Sequence, residues 1–237
     1  MENENDNNIN NIKPSNINFK ILLLGDATVG KTSLIQRYIN NEYSQTYITT
    51  IGIDKNRKTL NVNNVQVRLV IWDTAGQENF RALNKQFYKG TDSVILTFDL
   101  NNKKTIININ YWIGQLYQEN KIENLGIVLV GTKKDLLNDG KDNKVEKSEI
   151  DDAIERYKIK YFETSSKTGE NVKEVFNYLI RLTLSKKNFP ELPFNGKLDD
   201  YKIVELNRGD EKELFEKNLQ KLNENRIKKS NDGCCKF

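Results

Sequence analysis

The sequence predicts an α/β fold, a doubly wound and mostly parallel six-stranded sheet with one antiparallel hairpin at its edge. Short apolar segments alternate along the chain with segments of helical spacing, a pattern typical of the crossover units that build parallel sheets. The pair at 53–62 and 65–72 differs, because only the turn signal Asn63-Asn64 separates its members. A chain of 237 residues is long enough for one sizeable core with tails.

The elements follow in order. Residues 1–18 are polar and Asn-rich, and we expect them to be disordered because they offer little apolar surface to bury. The folded domain is predicted at 19–187. Its strands are predicted at 19–24, 53–62, 65–72, 93–100, 126–130 and 161–162, and its helices at 31–39, 105–117, 146–157 and 171–184.

The segment 188–237 is predicted to be a tail. It opens with a linker that contains Pro190, Pro193 and Gly196, and then carries an amphipathic pattern at 211–229 that is typical of a helix. That helix either packs back on the domain or faces a partner or a membrane.

Composition excludes several kinds of site. The chain has no histidine, which rules out imidazole bases, histidine-activated nucleophiles and histidine-ligated zinc. Its two cysteines, Cys234 and Cys235, are adjacent, so neither a disulfide framework nor a thiolate metal site is predicted. No apolar run reaches membrane-spanning length and no secretory signal opens the chain, so we expect a protein on the cytosolic side. A net charge of +4 gives no reason to expect a nucleic-acid partner.

A phosphate-binding loop is the strongest motif. The run GDATVGKT at 25–32 follows a predicted strand and opens a predicted helix. Gly25 and Gly30 let the backbone curl so that its N–H groups face phosphate oxygens, and the helix N-terminus adds its dipole. Lys31 would reach the β- and γ-phosphates, and the Thr32 hydroxyl would bind Mg²⁺.

Downstream motifs choose the base. In WDTAGQE at 72–78, Asp73 is placed beside the water shell of Mg²⁺ and the Gly76 N–H near the γ-phosphate. In TKKD at 132–135, the Asp135 carboxylate can accept from N1–H and N2–H₂ of guanine, a donor pair that adenine lacks. The run SSK at 165–167 would lend a backbone N–H to guanine O6 and the Lys167 stem to the ring face. The sequence thus predicts GTP over ATP.

With these motifs in this order, the chain resembles the small GTPases of the Ras superfamily over about 19–186. The resemblance implies that Thr50 of TTIG is a switch residue whose hydroxyl joins Mg²⁺, that Tyr43 flanks the guanine, and that Gln77 orients the attacking water. It also implies slow hydrolysis, with an arginine often supplied by a partner.

The predicted catalytic residues are Gln77, Lys31 and Gly76. The predicted metal ligands are Thr32, Thr50 and, through water, Asp73. The predicted nucleotide-binding residues are Gly25, Asp26, Ala27, Thr28, Val29, Gly30, Lys31, Thr32, Ser33, Tyr43, Thr50, Asp73, Gly76, Thr132, Lys133, Asp135, Ser165, Ser166 and Lys167.

The phosphate loop and the base loops depart from the family pattern. Thr132 stands where most relatives carry Asn, an amide that braces the phosphate loop and touches the base, and we expect the shorter threonine hydroxyl to replace only part of these contacts. Ala27 and Thr28 occupy positions that are often glycine or Ser-Gly, and we expect them to slow hydrolysis. Ser166 stands where Ala is usual, and a backbone contact tolerates it.

Within the superfamily the chain is most similar to Rab proteins, through variants of their signature segments at 50–54, 68–72, 79–83 and 87–91. Rab proteins usually carry an aromatic residue where this chain has Lys55, packed with aromatics equivalent to Trp72 and Phe87. The short spacing between Asp135 and Ser165 disfavours a Rho protein. The resemblance implies effectors in vesicle trafficking, an exchange factor, a GTPase-activating protein and a prenyl-chaperone or dissociation inhibitor, with the chain itself a monomer.

The C-terminus reads GCCKF. The pair Cys234 and Cys235 resembles the double geranylgeranylation signal of Rab proteins, whereas Lys236 suits a C-a-a-X signal poorly. Two lipid chains permit stable anchoring, so the chain is expected on the cytoplasmic face of an intracellular or plasma membrane, exchanging with the cytosol. Unmodified thiols on a tail are the alternative.

Two other functions stay open at this point, and a third is disfavoured. One is a GTP-binding interaction module with negligible turnover, which Ala27 and Thr28 would favour. Another is a signalling GTPase from elsewhere in the Ras superfamily. An ATP-dependent kinase or ATPase is contradicted by Asp135 and by the SSK segment.

Overall fold

The computed structural model describes residues 13–46, 50, 52–75, 85–120, 122–137, 143–190, 192 and 197–205. The strands are β1 (Lys13–Leu24), β2 (Ile53–Val62), β3 (Val65–Thr74), β4 (Ser93–Asp99), β5 (Gly126–Thr132), β6 (Lys160–Glu163) and β7 (Ile203–Glu205). The helices are α1 (Lys31–Asn40), α2 (Lys85–Tyr88), α3 (Lys103–Ile107), α4 (Ile109–Glu119), α5 (Lys147–Tyr157) and α6 (Val172–Lys187). None of these described helices is long and apolar enough to span a membrane.

The strands form one sheet in the order β6-β5-β4-β1-β3-β2-β7. β1 pairs with β4, β4 with β5, and β5 with β6, all in parallel. Every residue of β4 and β5 is buried, as expected for strands covered on both faces. The predicted α/β class with a mostly parallel sheet is therefore confirmed.

A tight turn joins β2 to β3, as the sequence predicts. Asn63 and Asn64 both have positive φ angles, of 48° and 65°. A two-residue hairpin turn of this kind requires positive φ at both central positions, and asparagine adopts it more readily than other residues that carry a side chain.

The sheet has seven strands where six were predicted. The seventh, β7, lies in the segment that was predicted to be a linker, and it pairs antiparallel with β2. The strand β1 begins at Lys13, so residues 13–18 extend a strand where a disordered lead-in was expected. Residues 13–18 were missed because their polar composition gives no periodic signal, and β7 was missed because a strand of three residues is too short to show one.

The helices begin and end close to the predicted positions. The predicted helix at 105–117 is divided into α3 and α4 at Asn108. The α5 helix begins with a capping box, in which the Glu149 carboxylate accepts from the Glu146 N–H at 3.1 Å.

The chain divides into two compact units. The larger comprises residues 18–58 and 69–201. It contains a core built on β4, β5 and α4, with Trp112 fully buried. It also extends past the predicted domain end at 187, because Leu192 and Tyr201 are buried and the Arg181 guanidinium donates to the Tyr201 carbonyl at 3.1 Å.

The described part of the smaller unit comprises residues 13–17, 59–68 and 202–205. Within it, Leu60 is paired with Glu205 and Val62 with Ile203. The Asn63 N–H donates to the Lys202 carbonyl at 3.0 Å, and the Lys202 N–H donates to Asn63 Oδ1 at 2.7 Å. The helix predicted at 211–229 lies outside the described residues.

Candidate functional site

The predicted site residues converge at one edge of the sheet. The strands β1, β4, β5 and β6 are parallel, so their carboxyl ends share that edge. Each is followed there by a loop, and the loops at 25–30, 133–135 and 164–168 carry the motifs singled out in the sequence. Ligands of open α/β sheets bind in the crevice outside the carboxyl ends of the strands. All of these residues belong to the larger unit.

The loop at 25–30 joins β1 to α1. A Cβ atom on Gly25 would lie 2.2 Å from the Thr97 carbonyl oxygen, so no larger residue fits there without movement. Gly30 has a φ of 100° at the start of α1, in the left-handed region that favours glycine. Both glycines of the motif are therefore required by the backbone, and the N-terminal end of α1 opens onto the loop.

Lys31 is held by the loop itself. Its Nζ donates to the Gly25 carbonyl at 2.9 Å and to the Asp26 carbonyl at 2.7 Å. Burial lowers the pKa of Lys31 to about 8, and the nearby charges of Asp73 and Asp26 partly oppose that shift. A buried ammonium group that forms no ion pair with a described residue is well placed to gain from an anion such as a phosphate.

Thr28 departs from ordinary backbone geometry. It is exposed and has a φ of 64°, which is uncommon for a residue with a side chain and strained for a β-branched one. The structure thus accounts for the glycine that the family often places here. Ala27 is half-buried beside it.

Three oxygen-bearing side chains meet next to Lys31. The Thr32 hydroxyl donates to Asp73 Oδ2 at 2.6 Å, and the hydroxyls of Thr32 and Thr50 are 2.8 Å apart. Burial raises the pKa of Asp73, and the hydrogen bond from Thr32 and the Lys31 charge oppose that shift. Asp73 Oδ1 is buried and has no hydrogen-bond partner in the described structure. Hydroxyl and carboxylate oxygens are ligands that Mg²⁺ prefers, and an unsatisfied buried carboxylate oxygen fits a cation or its water shell.

Thr132 braces the phosphate loop. Its buried hydroxyl contacts the Val29 carbonyl inside the loop and lies 2.9 Å from the Phe98 carbonyl. One hydroxyl proton serves both acceptors. Lys133 follows in the left-handed region, with a φ of 59°, and its Nζ forms an ion pair with Asp99 at 2.7 Å.

Asp135 and the SSK loop form a second cluster. The exposed Asp135 carboxylate accepts from the Ser165 hydroxyl at 2.6 Å, and Ser165 Oγ accepts in turn from the Thr168 N–H at 3.1 Å. The backbone N–H groups of Ser166 and Lys167 have no acceptor among the described residues. A carboxylate acceptor thus lies next to open backbone donors.

Arg37 is a supporting residue that the sequence did not reveal. It lies on α1 and donates from Nε to the Ser166 carbonyl at 2.6 Å and from Nη2 to the Lys167 carbonyl at 2.8 Å. It therefore ties the helix that follows the phosphate loop to the SSK loop. An arginine inside an amphipathic helix carries no local signal of such a role.

Other predicted residues are not joined to these clusters. Tyr43 lies in the loop after α1 and is 39% exposed, and its ring has no described aromatic contact. Gly76, Gln77, Cys234 and Cys235 lie outside the described residues. No group of three acidic or cysteine side chains forms a metal cluster in the part of the chain that the structure describes.

Lys55 occupies the position where the family usually has an aromatic ring. Its Nζ lies 4.1 Å from the centre of the Trp72 ring, and the Lys20 ammonium lies 4.5 Å from the same ring. Trp72 and Phe87 retain a tilted ring contact, with centroids 5.5 Å apart. A cation–π contact thus replaces one ring of the family's aromatic cluster.

Comparisons with known proteins agree with one another. The family model described as Ras family matches residues 20–185. Ras-related protein Rab-1D of Dictyostelium discoideum is 39% identical over 69% of this chain and 78% of its own length. Ras-related protein Rab-13 of Bos taurus is 38% identical over 76% and 86%, and Ras-related protein Rab-27B of Bos taurus is 36% identical over 78% and 93%.

Proposed function

The chain belongs to the Ras family and is a Rab-like small GTPase, and from this premise we propose which of its residues bind and hydrolyse GTP. As a member of that family it binds GTP and GDP with Mg²⁺ and hydrolyses GTP. It is a switch in membrane trafficking, regulated by exchange factors, GTPase-activating proteins and effectors. The residue assignments, the lipid anchor and the finer partners below are our proposals.

The loop made of Gly25, Asp26, Ala27, Thr28, Val29 and Gly30 holds the phosphates, together with Lys31, Thr32 and Ser33. The Lys31 ammonium, now donating to two loop carbonyls, transfers its donors to the β- and γ-phosphate oxygens. Charge neutralisation of this kind in a buried site is the main term in phosphoryl transfer, which needs little covalent chemistry from the protein.

Thr32, Thr50 and Asp73 hold Mg²⁺, Asp73 through water. The observation that supports this is the unsatisfied Asp73 Oδ1 beside two hydroxyls. The ion supplies charge compensation on the phosphate oxygens when it is bound. Thr50 belongs to the segment that senses the γ-phosphate, so the contact between the Thr50 and Thr32 hydroxyls is part of the switch.

Gln77 orients the attacking water, and the Gly76 N–H contacts the γ-phosphate. No side chain with a pKa near 7 is needed as a base, which suits a chain without histidine. Intrinsic turnover is slow, and in the Ras-type example a partner raises the rate by about 10⁵-fold. Single-turnover GTP hydrolysis tests this assignment: Gln77→Leu should lose most of the intrinsic and the activated rate, and an unchanged rate would remove Gln77 from the mechanism.

Guanine is recognised by Asp135, Ser165, Ser166 and Lys167, with Thr132, Lys133 and Tyr43 around the base. One observation carries this assignment: the Asp135 carboxylate is oriented by Ser165 beside backbone N–H groups of Ser166 and Lys167 that have no acceptor among the described residues. The carboxylate matches the N1–H and N2–H₂ pair of guanine, and the N–H groups match its O6. Adenine has the opposite pattern at both places.

Competition binding tests the base assignment. Labelled GDP bound to the full chain should be displaced by GTP and not by ATP at the same concentration. Asp135→Asn should lose affinity for GTP and gain affinity for xanthosine triphosphate, whose C2 carbonyl replaces the amino donor. Lys134→Gln is the matched control, since Lys134 lies next to Asp135 and pairs with Glu170 at the surface. Equal displacement by ATP would refute the assignment.

Cys234 and Cys235 carry geranylgeranyl groups that anchor the chain to the cytoplasmic face of a membrane. Two lipid chains give stable anchoring where one gives marginal binding. A prenyl-chaperone or dissociation inhibitor then carries the protein through the cytosol as a monomer. Intact-mass analysis of protein from native cells should show both groups, and a Cys234→Ser, Cys235→Ser double variant should become soluble. An unmodified C-terminus would contradict the anchor.

A further inference from the structure

A carboxylate stands inside the phosphate loop. Asp26 follows Gly25 directly, in a loop whose backbone N–H groups face phosphates that carry several negative charges. A negative side chain at that position repels the ligand if it points inward. The structure turns it away: Oδ1 accepts from Trp112 Nε1 at 3.0 Å, and Oδ2 accepts from Asn108 Nδ2 at 2.6 Å.

The two donors form a rigid support. Asn108 separates α3 from α4, and Trp112 follows four residues later, so both side chains lie on one face of α4. Trp112 is fully buried in the core beside β4. A donor locked by core packing and a donor at a helix start leave the Asp26 carboxylate little freedom to move.

The backbone of Asp26 faces the ligand side. Its carbonyl accepts from Lys31 Nζ at 2.7 Å, next to the bond between Lys31 and the Gly25 carbonyl. The same residue therefore connects α4, through its side chain, to the phosphate-binding lysine, through its main chain. Fixing the Asp26 side chain against α4 therefore limits the positions that its main chain and the Lys31 ammonium can adopt.

We propose that Asp26, Asn108 and Trp112 form a loop clamp that positions the phosphate loop and sets how long a guanine nucleotide stays bound. Asp26 is a positioning residue in this scheme. The proposal rests on the assignment of this loop to the nucleotide phosphates. Loss of the clamp lets the loop sample conformations whose N–H groups no longer point at the ligand.

Removing the Asp26 carboxylate distinguishes the two possible effects of this side chain, positioning of the loop and simple repulsion of the phosphates. If the Asp26 charge only repels the phosphates, Asp26→Ala slows the dissociation of GDP. If the clamp positions the loop, Asp26→Ala removes two charge-assisted hydrogen bonds and speeds dissociation by at least about tenfold. Asp26→Asn restores the clamp in part, because the Asn108 amide can rotate to accept from the new amide while Trp112 still donates. Its dissociation rate should fall between the rates of the wild type and Asp26→Ala.

A double-mutant cycle tests whether the donors act through Asp26. Trp112→Phe keeps a buried ring and removes the N–H, and it should speed GDP dissociation by about threefold to tenfold. Combined with Asp26→Ala, it should add little further effect, because the bond is already gone. Tyr117→Phe is the matched control on the same helix, and it should leave the rate unchanged. Asn108→Ala serves in the cycle if Trp112→Phe fails to fold by thermal melting.

The readout is the release of fluorescent GDP from the full chain with excess Mg²⁺ and unlabelled GDP. Wild-type binding is measured first, and a wild type that fails to bind guanine nucleotide contradicts the proposed function itself. With binding established, slower or unchanged release in Asp26→Ala overturns the clamp. So does additivity of Asp26→Ala and Trp112→Phe, or an Asp26→Asn variant as fast as Asp26→Ala.

Discussion

Replacing Thr132 by valine removes one hydroxyl and keeps the shape of the side chain. Thr132 is 1% exposed, and its hydroxyl is the donor that the described structure gives to the Val29 carbonyl in the phosphate loop. It also lies 2.9 Å from the Phe98 carbonyl. In Thr132→Val both carbonyl oxygens face a methyl group. Leaving a buried acceptor unsatisfied costs about 1 to 3 kcal/mol of unfolding free energy.

For a chain of this size that loss lowers the melting temperature by about 2 to 12 °C. The released Val29 carbonyl should also let the phosphate loop move, so GDP should dissociate faster. Thermal melting with and without GDP, together with fluorescent GDP release, measures both effects. Thr132→Asn, which installs the residue usual in the family, should restore the nucleotide affinity at least to that of the wild type.

Thr183→Val is the matched control for this experiment. Thr183 is fully buried and donates to the Leu179 carbonyl at 2.7 Å within α6, and it contacts Ser93 at the opposite end of β4 from the site. Its replacement should reduce stability and leave GDP release unchanged. If Thr132→Val melts like the wild type and releases GDP at the wild-type rate, the bracing role of Thr132 is wrong.

The remaining predictions also concern the phosphate loop. Thr28→Gly relieves a left-handed backbone conformation that costs about 1 to 2 kcal/mol in a residue with a side chain. The greater backbone entropy that glycine loses on folding offsets about 0.5 to 1 kcal/mol of this gain, so the melting temperature should rise by a few degrees. A lower melting temperature would show that Thr28 is not strained. Gly25→Ala sets a methyl group 2.2 Å from the Thr97 carbonyl, and calorimetry should detect no bound GDP in a folded variant. The pKa of Lys31 is lowered to about 8 by burial and rises when phosphate binds, so binding takes up a proton above pH 8. GDP affinity should therefore fall by about fivefold between pH 8 and 9, as the protonated fraction of the free lysine falls from about one half to about one tenth. Lys31→Arg stays protonated and should bind weakly with a flat profile over this range.

The sequence predicts well the parts of the site that local pattern determines. The loops at 25–32, 132–135 and 165–167 each follow an apolar strand, and parallel strands bring their carboxyl ends to one edge. Support for those loops escapes prediction because it comes from distant residues. Arg37 reaches Ser166 across 129 positions, and Trp112 reaches Asp26 across 86. Neither contact has a local pattern to reveal it, since a buried tryptophan on an amphipathic helix first indicates core packing.

Thr132 was expected to replace only part of the two contacts of asparagine, one with the phosphate loop and one with the base. Its hydroxyl contacts the Val29 carbonyl, which is the contact with the loop. Whether the Thr132 hydroxyl can contact Val29 depends on the distance between the loop at 132–135 and the phosphate loop, and the sequence does not determine that distance.

The pairing of β7 with β2 bears on how far the protein can stand from a membrane. We call the residues between the folded part and a lipid anchor on Cys234 the tether. Counted from the end of α6 at 187, the tether would contain about 47 residues and span at most about 160 Å when fully extended. Counted from Glu205, where β7 ends, the tether contains about 29 residues and spans at most about 100 Å. Fastening three residues to an edge strand thus shortens the greatest distance between sheet and lipid by more than a third, and releasing them would lengthen it.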